Sequence, residues 1–195
     1  MSNSQAATRQ TDPAASSAAS LIASPNSASE AAIASDPRAF RNALGRFGTG
    51  VAIITTRQAD GRPLGVTVNS FASVSLDPPL VQFSLAWKTS SLPVFEQSSH
   101  FSVNILAQSQ AGLSWTFTKP ATAVWDDIAC TKGANGCMAL ADSLAVFECE
   151  RHMRVEAGDH VIYIGRVTAF HNRAEESEPL LFYRGGYGAF VRAPA

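Results

Sequence analysis

LAVFECERHMRVEAGDHVIYIGRVTAFH, residues 144–171, decides the fold class. It reads as two long strands, 144–156 and 160–171, around Gly158-Asp159, the turn chemistry of a β-hairpin. PLLFYRGGYGAFV, 179–191, follows and closes the domain. Upstream, VAIITT (51–56) is rich in β-branched residues, QADGRP (58–63) centres a turn on Asp-Gly, and LGVTVNSF (64–71) returns as the second strand of a hairpin. LVQFSLAW (80–87) and HFSVNIL (100–106) are further strands, and Ser91 caps a short helix carrying Val94 and Phe95. AQSQAGLSWTF, 107–117, is helical in pattern, and 118–143 is irregular. Strands joined by hairpin-sized connections, with few helices, predict an antiparallel β-barrel. No regular strand–helix–strand alternation supports a doubly wound sheet.

Asp36-Pro37 announces the start of the domain as an N-cap followed by proline at the first helical position. Phe40, Ala43, Leu44 and Phe47 share one face of a short helix, which Gly48 and Gly50 end. Residues 1–35 are a different material. They are almost all Ala, Ser and small polar residues and lack the large apolar side chains that would offset the entropy of ordering. They read as a disordered extension, and 36–195 as the folded domain. The extension has no basic region leading into a continuous apolar run, so it fits a signal peptide poorly.

Hydrophobic residues make up 46% of the 195, and the formal net charge is −1, which gives no basic excess for nucleic acid or an anionic membrane. No apolar run approaches the ~20 residues of a membrane helix. Cys130, Cys137 and Cys149 fit neither a disulfide framework nor a metal or redox pair, which indicates a reducing, cytoplasmic setting. The four histidines show no zinc-ligand spacing. GRFGTG, 45–50, follows a helix and precedes a strand, the reverse of a dinucleotide-binding loop. GLSWT, 112–116, lacks the second glycine of a nucleophile elbow, and Asp126-Asp127 reads as a solvated loop.

Three stretches carry chemistry. TVNSFASVSLDPPL, 67–80, places Thr67, Asn69, Ser70, Ser73 and Ser75 where a plain core strand would use large aliphatics, and buried hydroxyls need partners, which a polar ligand can supply. Trp87-Lys88-Thr89-Ser90-Ser91 combines a cation, hydroxyls and a helix start, the makings of an anion site. GDH, 158–160, and YRGGYG, 183–188, offer a histidine, an arginine, two tyrosines and a flexible glycine segment. Together they suit a flat, polar-edged aromatic ligand carrying phosphate. Singly, Thr67 and Ser70 read equally as sheet residues, Lys88 as a solvated charge and His160 as a hairpin flank.

FRNALGRFGTGVAIITT, GVTVNSFASVSLDPPLVQFSL, FSVNIL, GDHVIYIGRV and PLLFYRGGYG, in that order from about residue 37 to 191, resemble the short-chain flavin reductases, the reductase components of two-component flavin-dependent monooxygenases. The resemblance implies a mainly β, antiparallel Greek-key split β-barrel of the FMN-binding type with a few short helices, assembled as a homodimer. It implies NAD(P)H-dependent reduction of FMN or FAD by hydride transfer, with no side-chain nucleophile or metal required. Carried onto this sequence, Thr67, Val68, Asn69 and Ser70 meet the polar edge of the flavin ring with Ser84 and Leu85 beside them, and Lys88, Thr89 and Ser90 hold the flavin phosphate. His160 lies near the nicotinamide as a positioning or proton-donating group. Arg184 and Tyr187 form that end of the cleft. Residues 115–119, WTFTK, depart from the family pattern, with Phe117 keeping an aromatic place near the flavin, and GCMAL, 136–140, lacks an expected proline. The length of the folded part implies a separate monooxygenase component that receives reduced flavin. A non-catalytic flavin-binding storage or sensor module on the same barrel is the alternative.

Overall fold

The computed structural model describes residues 35–119, 123, 125–173 and 177–193. Apart from Ser35, the extension expected over 1–35 lies outside the described residues. The chain divides into two units, Met1–Leu44 and Gly45–Ala195. In the first, helix α1 (Pro37–Leu44) starts where Asp-Pro anticipates, with Asp36 Oδ1 accepting from the Ala39 amide at 2.9 Å. None of its residues is buried. It stops before Gly45, so Phe47, expected on its face, lies beyond it and exposed, and the helix expected to open the folded domain falls in the first unit.

The second unit is built on a seven-stranded antiparallel sheet. In chain order the strands are β1 (Thr49–Gly50), β2 (Ala52–Arg57), β3 (Pro63–Val68), β4 (Ala72–Leu76), β5 (Pro79–Ala86), β6 (His100–Ile105), β7 (Cys130–Lys132), β8 (Met138–Leu140), β9 (Ala145–Ala157), β10 (His160–Asn172), β11 (Leu181–Tyr183) and β12 (Gly186–Gly188). Helix α2 (Leu92–Gln97) links β5 to β6, and α3 (Ala111–Thr116) follows β6. The large sheet runs β3-β2-β6-β9-β10-β5-β4, while β1-β11-β12 and β7-β8 form small sheets of their own. The hairpins at 52–68 and 145–172 are those the turn residues anticipate.

Three details differ from the sequence reading. TVNSFASVSLDPPL is not one strand ended by its prolines. β3 stops at Val68, β4 starts at Ala72, and Pro79 opens β5. Only Asp77 and Pro78 lie in the turn between β4 and β5. The stretch expected to be irregular contains the β7–β8 hairpin, whose turn includes Gly136 at φ +79°. Ser91 stands at the start of α2, but its hydroxyl makes no capping bond.

The sheet curls around a core drawn from nearly every long strand: Ile54, Val66, Val68, Phe83, Phe101, Val103, Cys149, Val161 and Tyr163, capped by Leu92 and Phe95 of α2. Phe83 is the hub, stacked on Tyr163 at 5.3 Å and edge-on to Phe101 at 5.0 Å. β2 is buried on both faces, because a second cluster of Val51, Ile53, Leu106, Phe117, Leu140 and Leu180 covers its outer side. Gly65 admits the Phe117 ring there, since a Cβ on it would stand 2.5 Å from Cε1.

The curl is not closed by a strand ladder, because β3 and β4 are both edges. This is the split in the barrel. Beside it a side chain ties the β3–β4 connection to β5: Ser70 Oγ donates to the Ser84 carbonyl at 3.2 Å and accepts from the Ser84 amide at 2.9 Å. Ala72 pairs with Gln82, so one step further along the ladder residue 70 faces residue 84. The hydroxyl takes over where the backbone of β4 has turned away.

Candidate functional site

β3 is an edge strand, and a groove follows it. At its centre an open cleft of about 410 Å³ is walled by Val66 to Ser70 on one side and by Ser84, Leu85, Ala86, Thr89 and His160 on the other. A second cleft of about 290 Å³ adjoins it at Thr67, Val68 and Asn69 and is walled by Trp115, Thr118, Phe182, Gly185 and Tyr187. Residues far apart in sequence therefore meet for one reason: β5 and β10 pair on one side of the split, and β11–β12 folds back past β3 on the other.

Thr67, Ser70 and Ser75 of the polar row have partners within the fold. Thr67 Oγ1 donates to the Ser114 carbonyl at 2.7 Å, and its amide donates to the Phe117 carbonyl at 3.1 Å, so Thr67 fastens the end of α3 to the edge strand. Ser70 is occupied by Ser84, and Ser75 Oγ donates to the Asp77 carbonyl. The hydroxyls of Thr67 and Ser70, expected to face a ligand, are engaged by main chain. Asn69 lines both clefts, is exposed, and has neither its amide nor its carboxamide in a hydrogen bond of the chain. Val68 and Leu85 bury their side chains in the barrel, so they offer the groove mainly backbone. The walls are otherwise short side chains, which leaves room for a flat ring.

His160 starts β10 opposite Ala86. Its Nδ1 is 2.7 Å from Asp159 Oδ1, which leaves Nε2 as the ring nitrogen free to meet a ligand. That hydrogen bond holds the Asp159 carboxyl below the usual carboxylate range. The turn carrying them is clamped to the end of β5: the Trp87 amide donates to the Asp159 carbonyl at 3.0 Å, and Trp87 Nε1 donates to the Gly158 carbonyl at 3.2 Å. The Arg154 guanidinium lies 5.4 Å over the Trp87 ring and is itself held by Glu96 and Glu156, each at 2.8 Å. At the other end, Tyr187 Oη is 2.6 Å from Ser114 Oγ and its ring packs edge-on against Trp115 and Phe182.

The structure thus brings Thr67, Val68, Asn69, Ser70, Ser84, Leu85, Thr89, His160 and Tyr187 to one groove. Lys88 lies exposed in the turn beside Thr89 and outside the cleft walls, and Ser90 faces a neighbouring cleft. Phe117 is wholly buried under β3, so its aromatic place is beneath the groove and not in it. Arg184 is exposed at φ +50° with its amide bonded to the Gly45 carbonyl, and the adjoining Gly185 lines the cleft in its stead. Trp115, 63% exposed on the groove, escaped the sequence reading. An exposed tryptophan next to a hydroxyl-rich helix end was the signal available. Among the described residues no cluster of His, Cys, Asp or Glu is placed to hold a metal ion.

Residues 44–190 match the flavin reductase like domain family. The chain is 44% identical over 155 residues to FMN reductase (NADH) SmoA of Agrobacterium fabrum, covering 80% of this chain and 87% of that protein. It is 43% identical over 152 residues to a "Probable flavin reductase" of Rhizobium meliloti, covering 78% of this chain, and it spans about half, 48%, of that relative's length. The solved structure of the styrene monooxygenase flavin reductase of Pseudomonas putida S12 superposes with a TM-score of 0.72 at 35% identity, over 80% of this chain and 99% of that one.

Proposed function

The chain belongs to the family of the flavin reductase like domain, and on that footing we propose that it is an NAD(P)H:flavin oxidoreductase that reduces FMN or FAD and passes reduced flavin to a separate flavin-dependent monooxygenase. One observation carries the reading. Asn69 lies unbonded along an edge-strand groove of short side chains, with the free Nε2 of His160 among the residues of the facing wall. A flavin fits this donor set. Its ring edge carries carbonyl oxygens and an N–H that match the Asn69 amide and carboxamide, and a cleft of about 410 Å³ is of the size small-molecule sites take.

When bound, the flavin supplies the redox chemistry, accepting a hydride from the nicotinamide. The chain supplies orientation. Asn69 and the backbone of Val68 and Leu85 fix the ring edge, and Thr89 with the exposed Lys88 and Ser90 receives the phosphate end. Trp87 holds the Gly158-Asp159 turn so that His160 stands at the open side, and Asp159 fixes its tautomer and turns Nε2 to the nicotinamide. Tyr187, tied to Ser114, closes the far end. A purely storing module would leave the aligned Asp159-His160 pair without a task. The relative named as a styrene monooxygenase flavin reductase supports the monooxygenase partner.

The proposal includes a homodimer. β4 is an open edge carrying Val74 and Leu76, the latter 94% exposed, and the Phe71-Phe147-Phe170 stack ends on Phe170, 62% exposed. Exposed apolar residues beside an unpaired edge suit a second copy, and Leu76→Glu would then yield monomer in sedimentation. It also includes a cytoplasmic setting, in keeping with three unpaired cysteines. Among the described residues no helix is long and apolar enough to cross a membrane.

The test is nicotinamide oxidation by purified protein with FMN and FAD, each with NADH and NADPH. Turnover that requires added flavin is expected. His160→Ala should slow it while leaving the flavin dissociation constant within about threefold. Flavin binding without turnover for any pair would overturn the enzyme reading in favour of storage.

A further inference from the structure

The turn that leads into His160 projects beyond the ladder that forms it. Gly158, at φ +60°, and Asp159 stand past the last pair of β9 and β10, Ala157 with His160, and the Asp159 side chain is 91% exposed. Among the described residues, Trp87 is what fastens this turn to the rest of the barrel, its amide to the Asp159 carbonyl and its Nε1 to the Gly158 carbonyl. The amide is placed by the backbone of β5, which ends one residue earlier at Ala86. The indole is not. Trp87 is 41% exposed, too open for packing alone to fix its ring.

Charge fixes it instead. The Arg154 guanidinium lies 5.4 Å over the ring. It is held on two sides, Nε by Glu96 and Nη1 by Glu156. Glu96 is itself anchored. Its Oε1 also accepts from Tyr163 Oη at 2.6 Å, and Tyr163 is buried and stacked on Phe83 at the hub of the core. Arg151 Nη1 donates to the Phe95 and Glu96 carbonyls at 3.1 and 2.9 Å, which fixes the end of α2 that carries Glu96. Arg154 and Tyr163 pair across the β9–β10 ladder, so one carboxylate reaches both. A line of contacts therefore runs from the core through Tyr163, Glu96, Arg154 and Trp87 to the turn, where Asp159 meets Nδ1 of His160.

Solvent-exposed ion pairs add little to stability, whereas a reaction between two rings depends on how closely each is held. We infer that Arg154 is a positioning residue for the hydride transfer: its cation orients the Trp87 indole, the indole holds the turn, and the turn sets His160 against the nicotinamide. The inference rests on the flavin oxidoreductase reading and deepens it.

The experiment is a double-mutant cycle on the full chain, reading steady-state nicotinamide oxidation and, separately, the flavin dissociation constant by fluorescence. Arg154→Met keeps the stem of the side chain and removes the cation. It should lower kcat/KM for the nicotinamide about tenfold, within the ~100-fold that a displacement of about 1 Å can cost, and leave the flavin dissociation constant within about twofold. Added to His160→Ala, the same change should cost less than about twofold more, because the group it positions is gone. Arg154→Lys returns a cation to the ring and should recover part of the rate. If Arg154→Met does not fold, Arg154→Gln, which can still donate to Glu96 without the charge, makes the same test. An unchanged rate in the uncharged variant, an equal loss with and without His160, flavin affinity falling as far as the rate, or a lysine variant no faster than the uncharged one would each overturn the positioning role alone. An unchanged rate in His160→Ala itself would remove His160 from the reaction and the inference with it. No turnover by the unaltered chain with any flavin and nicotinamide pair would overturn the oxidoreductase reading and, through it, this one.

Discussion

Ser70→Ala removes a side chain that ties the β3–β4 connection to β5. Two bonds go, the donation to the Ser84 carbonyl at 3.2 Å and the acceptance from the Ser84 amide at 2.9 Å. Each such bond is worth about 0.5–1.5 kcal/mol net, and both Ser84 groups are part-buried, so the loss is roughly 1–3 kcal/mol. For a domain of this size about 2 kcal/mol corresponds to a fall of about 4–8 °C in melting temperature. Urea unfolding followed by tryptophan fluorescence measures it. Ser73→Ala, at an exposed hydroxyl in no hydrogen bond of the chain, serves as the reference. Ser70→Thr keeps the hydroxyl and should recover part of the loss. Ser70 and Ser84 also face the central cleft, so flavin affinity should fall with stability. A Ser70→Ala protein within about 0.5 kcal/mol of the Ser73→Ala reference, with unchanged flavin affinity, would refute the bridging argument.

Gly165 sits at a register shift of the β9–β10 ladder, where a Cβ would collide with Phe101 Cζ and stand 3.0 Å from Cys149 Cβ. Gly165→Ala should therefore cost roughly 1–3 kcal/mol by overpacking, and Phe101→Leu should recover part of it in chemical denaturation. An unchanged midpoint for Gly165→Ala would show that the core yields there. Burial works to raise the Glu96 carboxyl, but hydrogen bonds from Tyr163 at 2.6 Å and Arg154 at 2.8 Å outweigh it and leave Glu96 below its ordinary value of 4.5. A depressed carboxyl contributes stability that is fully present above its unfolded value and is lost as pH falls through the folded one. The urea midpoint should therefore drop below about pH 4.5, and Glu96→Gln should flatten that drop; an identical slope in the variant would rule Glu96 out as its source. Burial pushes the Cys137 and Cys149 thiols up to about 11 and about 12, so at pH 8 a thiol reagent should label neither in the native protein and both after unfolding. Rapid native labelling of either would contradict their burial.

Much of the barrel was legible because its signals are local. Asp60-Gly61 and Gly158-Asp159 mark their turns by backbone chemistry that needs no tertiary context, and VAIITT declares a strand by its side chains. The β7–β8 hairpin was missed because three-residue strands carry too few positions for a period to show. Phe117 was misplaced for a related reason. The family resemblance implies an aromatic residue near the flavin, and packing against Gly65 and Trp125 puts Phe117 under the strand. Trp115, two residues earlier in the chain, faces the groove instead.

By itself the sequence determined most of the long strands, where the principal turns fall, and that a polar row interrupts an otherwise apolar barrel. These follow from backbone conformation and side-chain branching, which act over a few residues. Only the tertiary structure decided what that row is for. The hydroxyls of Thr67 and Ser70 could be satisfied by a ligand or by the chain, and which of these holds depends on where α3 and β5 come to rest. Once the Ser114 and Ser84 backbones reach them, their hydrogen bonds are made within the protein. Asn69 is then the unbonded member at the centre of the groove.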